Sequence, residues 1–454
     1  MNTIRRCGSF LGITFGTAYT LAACFGPPFT LRAPATESDE GGAGGHGGTS
    51  SAGGGQAGHG GTGGDDGTTL IVQDNAGVPV SGVKVVVNDE GGAVVVVTET
   101  GGDGRAEVTI PIAGSVSIFS TVETALHVHT LVDPPPGLTI PVIVERPAAA
   151  LPEKTLYQAI VVGEPPGTER VYIWSTCDVG WSDMTLDNAQ CLDAPTIDFL
   201  GVAFDVDDNV IAWGLTPNQP TSPGGDAIFF PLDVTETMFH TLDAAITGTL
   251  PPTSYAGVTL GAELSVEDMI TQPSPIAPPP IAVTLRVPAV PGMGYRVHEF
   301  ASSWSDAASP TSRIERDRFY TVLPASTTFA VSSMAPLSVH PLDLADPVHP
   351  ALTWGVAGGE RGDQGTLVMS WGSGVVVVTY KAVFAPEHTT SFRVPDIPPE
   401  LSSYAPSAPT TFGKSVSVWY DDLENVEGYG DVLDGAPPID GLGRIRSGAY
   451  LTQP

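Results

Sequence analysis

From Thr68 onward the chain is cut into short runs of β-branched and aromatic residues, closed by glycine, proline, asparagine or aspartate. An isolated helix needs roughly 12 to 15 uninterrupted residues even with good helix formers, and a proline inside one costs about 3 kcal/mol. Runs this short order by pairing as strands. With 54 Gly and 42 Pro in 454 residues, only 15% of them charged, the expected class is all-β. The expected architecture is an N-terminal β-sandwich followed by one or two larger β-sandwich units, behind a disordered Gly-rich tether.

The first unit, expected over 68–146, shows the pattern most clearly. Candidate strands are Leu70 to Val72, Pro79 to Val87, Val94 to Thr98, Arg105 to Ile110, Val116 to Phe119, His127 to Leu131 and Leu138 to Val144. Turns spaced about 8 to 12 residues apart are the signature of a Greek-key sandwich. Two turns are distinctive: the opening Asp-x-x-Gly-x-Pro-Val-x-Gly-Val at Asp74 to Val83, and Thr-x-x-Asp-Gly-Arg-Ala at Thr100 to Ala106. In these residues the segment resembles the carboxypeptidase-regulatory-like and related bacterial immunoglobulin-like modules. The resemblance implies a transthyretin-like or immunoglobulin-like sandwich that acts as a spacer, stabiliser or binding unit and carries no catalysis.

The N-terminus has a different chemistry. Arg5 and Arg6 precede an apolar run, Gly8 to Ala23, too short and too rich in Gly and Thr for a membrane-spanning helix and suited to a signal peptide over 1–23. Its end, Leu21-Ala22-Ala23-Cys24, resembles the bacterial lipoprotein box. That resemblance implies cleavage before Cys24 and acylation of its thiol. Phe25, rather than aspartate, follows the cysteine, which by the same resemblance points to the outer membrane of the cell envelope. One acyl chain binds a membrane only marginally, whereas two or three hold it. The tether, 24–67, is mostly Gly, Ser, Thr and Ala, with nothing to bury and hence expected to be disordered; such a coil reaches roughly 35 to 40 Å.

Beyond the linker Pro147 to Pro152, a β-rich domain is expected over 155–271, then a proline-dense break at 272–280 and a β-sandwich-like domain over 281–454, with a single larger β assembly as the alternative. Only Glu263 to Ile270 suits a helical turn or two. Trp174, Trp213, Trp354, Trp371 and Trp419 recur near strand ends at uneven spacing, which excludes a WD-type propeller and fits core packing or a sugar-stacking platform.

The net charge is -31, a surface that repels phosphate backbones, so no nucleic-acid partner is expected. Acidity of this kind serves solubility or cation binding. Two cysteines remain besides Cys7 and Cys24: Cys177 and Cys191, expected to form a disulfide in an exported chain. It would close a loop of about 15 residues and stabilise by about 3 kcal/mol in the chain-entropy model.

Asp205, Asp207 and Asn209 offer oxygens at alternate positions, as a calcium loop does, but Val210 stands where the loop glycine belongs and Thr216 where the closing glutamate belongs. A hairpin turn explains the segment as well. His127 and His129 share a strand face, the spacing of two metal ligands without a visible third. Gly413-Lys414-Ser415 resembles the end of a phosphate loop but is followed by a strand, and His298-Glu299 begins a zincin pattern that Ser302 breaks. Tyr420 to Glu424 reads as a solvated acidic edge. No catalytic residues are assigned. The role these features allow is that of a lipid-anchored envelope protein, structural, adhesive or ligand-binding. The alternatives are an exported hydrolase acting on polysaccharide or peptide, and a calcium-stabilised binding protein.

Overall fold

The computed structural model describes residues 67–452, apart from 75–76, 123–124, 145–155, 176–178, 182–185, 188–195, 221–227, 249–253, 264–271, 274–276, 278–279, 304–310, 374–375, 407–411 and 435–442. The expected signal peptide, Cys24, most of the expected tether, Cys177 and Cys191 lie outside the described residues.

The strands are β1 (Thr68–Gln73), β2 (Lys84–Asn88), β3 (Val94–Glu99), β4 (Arg105–Val108), β5 (Ser115–Val122), β6 (Ala125–Val132) and β7 (Thr139–Ile143). Next come β8 (Leu156–Val162), β9 (Arg170–Ser175), β10 (Val179–Trp181), β11 (Leu186–Asp187), β12 (Thr196–Phe204), β13 (Val210–Pro220), β14 (Ile228–Asp233), β15 (Phe239–Thr247), β16 (Ser254–Glu263) and β17 (Gln272–Pro273). The last group is β18 (Ile281–Pro288), β19 (Gly294–Ser303), β20 (Thr311–Tyr320), β21 (Ser326–Ala330), β22 (Leu337–Val339), β23 (Ala351–Val356), β24 (Gln364–Ser373), β25 (Val376–Phe384), β26 (Ser391–Arg393), β27 (Phe412–Leu423) and β28 (Arg444–Thr452). Two short helices, a 3-10 turn at Pro399–Tyr404 and α1 (Tyr429–Leu433), interrupt the strands. The chain is all-β, as its punctuation requires.

Twelve strands form one long sheet in the order β17-β16-β19-β20-β28-β27-β24-β25-β6-β5-β2-β3. Three small sheets, β4-β1-β7, β22-β23-β26 and β18-β15-β21, supply strands to the apolar cores along it. Strand alternation explains how one sheet serves several cores. In β2, Val85 and Val87 join the core with β1 and β7, while Val86, between them, joins the core of Trp371, Tyr380 and Tyr420. A separate pair of sheets, β10-β9-β12-β13 and β11-β8-β14, encloses Tyr157, Phe199 and Phe230. The intervening residues of β12, Leu200, Val202 and Phe204, face the opposite way and pack in the core that includes β16 and β19.

The seven strands from Thr68 to Ile143 thus make two layers of three and four strands. Their four-stranded layer does not end there, because β6 pairs in parallel with β25. The proline-dense break at 272–280 is also spanned: β16 pairs with β19 across it, and Gln272–Pro273 is itself the terminal strand of the long sheet. The helical turn expected from Glu263 is replaced at that residue by the end of β16, and the rest lies outside the described residues. In β20, Arg-Ile-Glu-Arg-Asp-Arg places charge on both faces, so hydrophobic alternation cannot reveal it.

Candidate functional site: an arginine and aromatic band

The central strands β19, β20, β28 and β27 present two unlike faces. On one, Val297, Ala301, Ile314, Val416, Val418, Ala449 and Leu451 enter the apolar cores. On the other, the register brings charged residues opposite one another: His298 faces Asp317, Asp317 faces Arg444, Glu315 faces Arg446, and Arg446 faces Asp421. Cross-strand neighbours of this kind lie about 4.5 to 5.5 Å apart, so a ladder of alternating charge follows from register alone.

Asp317 is the hub. Its Oδ1 accepts from Arg296 Nε at 3.2 Å and from His298 Nδ1 at 2.9 Å, and its Oδ2 accepts from Arg444 Nη2 at 3.0 Å. Burial alone would raise its pKa; His298, Arg296 and Arg444 outweigh burial and hold the carboxyl well below the usual range. Arg313 Nη2 sits 3.0 Å from His298 Nε2. A guanidinium only donates, so Nε2 is the acceptor and the ring proton is on Nδ1. Both ring nitrogens are engaged, and the His298–Asp317 pair has no nitrogen left to act as a base toward a substrate.

Asp421 is fully buried and accepts from Arg446 Nη2 at 3.1 Å and Gln364 Nε2 at 3.3 Å. Burial is again overcome, here by Arg446, and the carboxyl is held low. The expectation of a solvated acidic edge at Tyr420 to Glu424 is corrected at Asp421, which the neighbouring arginine strand covers, while Asp422 is half-buried and Glu424 exposed. Glu315 forms an ion pair with Arg313, Oε2 to Nε at 2.6 Å, and its Oε1 lies 4.0 Å from Arg446 Nη1. Lys381 continues the band on β25; burial and Arg446 push its ammonium down to about 8, with Asp421 acting in the opposite direction.

Three of the arginines lie over aromatic rings: Arg296 at 5.1 Å from the Phe319 centroid, Arg313 at 4.9 Å from Phe300 and Arg446 at 4.7 Å from Trp419. Trp419 also meets Tyr450 edge to face at 4.9 Å. Gly448, opposite Trp419 in the ladder, leaves the space the indole occupies, since a Cβ there would overlap the ring. Gly257 does the same for Phe300, whose ring lies 2.7 Å from the place of a Cβ. Guanidinium groups stacked in this way keep in-plane N–H donors for carboxylates. Among the described residues the band holds five cations, Arg296, Arg313, Arg444, Arg446 and Lys381, against three carboxylates, Glu315, Asp317 and Asp421. It is a net positive strip in a chain of net charge -31.

The other candidate residues are placed apart from it. Asp205 opens the β12–β13 hairpin and accepts from Asp207 N, Asn209 N and the Asn209 side chain at 2.8 to 3.2 Å, while Asp208 takes φ +65° and pairs with Arg170. The oxygens of Asp205 are thus bound within the turn. His127 and His129 face Thr379 and Lys381 across β6 and β25; burial, Lys381 and His127 push His129 down to about 3, and the adjacent ammonium opposes a metal ion. Among the described residues no group of three or more His, Cys, Asp or Glu side chains is arranged to hold a metal. Trp174, Trp213, Trp354 and Trp371 are core residues, and of these five recurring tryptophans Trp419 alone reaches the band. His298, Gly413-Lys414-Ser415 and Tyr420 lie within β19 and β27. The arginines that β20 and β28 bring to the band are candidate residues the sequence pattern did not reveal. The available signal was their concentration, five of the chain's 19 basic residues at Arg313, Arg316, Arg318, Arg444 and Arg446, of which Arg313, Arg444 and Arg446 lie on the band.

No family model matches this chain, and no curated protein matches it. Among solved structures, the Bacillus anthracis TIE protein is similar at 12% identity over 58% of this chain and 49% of that one, with a TM-score of 0.15. A leucine-rich repeat protein from Bacteroides thetaiotaomicron is similar at 13% identity over 40% of this chain and 26% of the other, with a TM-score of 0.14. The chain spans about half the length of the first and a quarter of the second. At these scores neither likeness decides fold or function.

Proposed function

We propose that this chain is a lipid-anchored protein of the cell envelope that captures an acidic polysaccharide on the arginine and aromatic band, without transforming it. The observation that carries the reading is the band itself, cations stacked on Phe319, Phe300 and Trp419 on strands whose opposite face is apolar core. Aromatic faces take sugar rings, and guanidinium edges take carboxylates. A polymer with one carboxylate per sugar suits cations presented on successive strands about 4.8 Å apart. The strongly acidic remainder of the surface repels a denser polyanion. The leader, Cys24 and the tether place the sheet on a membrane in this reading, with the 68–146 module as its spacer.

Calorimetric titration of the chain with polygalacturonate and with a neutral glucan tests it. Saturable binding to the acidic polymer that weakens as salt rises, and is lost in Arg313→Ala and Trp419→Ala with unchanged melting, is the expected result. Equal or absent binding of the two polymers overturns it. For the anchor, Cys24→Ser is expected to move the protein to the soluble fraction; retention on the membrane refutes acylation there.

A further inference from the structure

The long sheet has two ends, and they are built differently. At one end stands β17, two residues long and ending in Pro273, which has no N–H to offer. Edges of the smaller sheets carry comparable stops: Arg105 and Glu107 in β4, and Pro231 in β14. At the other end stands β3, Val-Val-Val-Val-Thr-Glu, paired among the described residues on one side only, with β2. Its four valines are 36% to 52% exposed, on both faces of the strand. No charge or proline occurs in β3 before Glu99.

We infer that β3 is a self-association edge, which pairs in antiparallel fashion with β3 of a second copy of this chain and makes one continuous sheet across the two. The occupant follows from three features. Half of the backbone donors and acceptors of an edge strand point outward, so its natural partner is another extended strand. A two-fold axis normal to the sheet sets a residue opposite its own copy. Centred on Val95 or Val96, the pairing places valine against valine and puts Glu99 opposite Gly91 or Ala93, so no like charges meet. The two-residue, proline-ended β17 is a poor complement to β3, whereas β3 against β3 is self-complementary, and such an isologous pairing closes at two copies. A single strand edge buries less than the ~1,200 to 2,000 Å² of a standard stable interface, so the dimer is concentration-dependent. Two chains of net charge -31 repel one another, and screening by salt strengthens the dimer, the opposite of its effect on polyanion capture.

The test is sedimentation velocity of the full chain carrying Cys24→Ser, which removes acyl-driven association, over a range of protein concentrations at low and high salt. The expected result is a mass rising toward twice that of one chain, further at high salt. A single-chain mass under every condition overturns the inference. In Val95→Lys/Val96→Lys the doubling is expected to disappear with the circular dichroism and melting unchanged; persistent doubling there means another surface is used and also overturns it. A readout that needs no β3 variant is amide hydrogen exchange at Val94 to Val97, expected to slow as the concentration of the parent rises. Exchange independent of concentration counts against β3.

Discussion

On the core side of β19 and β20, Arg316 makes a two-pronged contact with Glu299, Nε to Oε2 at 2.6 Å and Nη2 to Oε1 at 2.9 Å, and Nη2 also donates to Thr327 Oγ1 at 2.8 Å. The Glu299 side chain is fully buried and that of Arg316 nearly so. The guanidinium lies 5.1 Å from the Phe329 centroid, inside the core shared with Leu242 and Val297. Removing one member of such a pair leaves an uncompensated charge in an apolar medium, a cost of about 3 to 5 kcal/mol. Arg316→Met is therefore expected to lower stability by about that amount, and Glu299→Leu by a similar one. The double variant Glu299→Leu/Arg316→Met, which has no charge to strand and keeps the volume apolar, is expected to fall within about 1 to 2 kcal/mol of the parent on either side. Urea unfolding followed by circular dichroism measures all three, with the slope checked for constancy. A loss below about 1 kcal/mol for Arg316→Met would mean that water reaches the pair, and a double variant as unstable as the sum of the singles would mean the two residues are not coupled; either outcome refutes the argument.

Three further outcomes follow from the same physics. His129 is held at about 3 in the fold against about 6.5 in an unfolded chain, so the unfolded state takes up its proton first. Stability is expected to decline as pH falls from about 6.5 toward about 3, and His129→Gln to flatten that slope in pH-dependent melting. Asp317 has the opposite relation to its proton: its folded pKa is depressed, so its contribution is complete above about 3.9 and lost as pH falls through the lower folded value. Asp317→Asn should remove that part of the acid limb. Gly448→Val places a side chain where the Trp419 ring lies and is expected to cost about 1 to 3 kcal/mol through overpacking, together with a change in tryptophan fluorescence; an unchanged spectrum would show that the ring is not held there.

Much of the strand pattern was legible because hydrophobic alternation needs only nearest neighbours. All seven strands of 68–146 and most of those from Leu156 to Phe384 coincide with apolar runs ended by turn residues. The hairpin at Asp205 was legible as a turn for the same local reason. The band was not. Two of its strands, β20 and β28, carry Arg, Glu and Asp where pattern reading assigns loops, and its order depends on β20 lying beside β28, whose paired residues Asp317 and Arg444 are 127 residues apart. Charges that look solvated in sequence become hydrogen-bonded ladders only when that register forms.

The two valine runs of the first unit show where local information stops. By itself the sequence determined that Val85-Val86-Val87 and Val94-Val95-Val96-Val97 are strands, since β-branched side chains pack best on a pleated surface. It also determined the all-β class and the excess of acid over base. Which run is buried was decided by the tertiary structure alone. β2 lies between β3 and β5 with an apolar core on each face, and its valines are excluded from solvent; β3, one strand further out, has its valines exposed. Burial depends on what else arrives at a strand from distant parts of the chain, and residue type carries no record of that arrival.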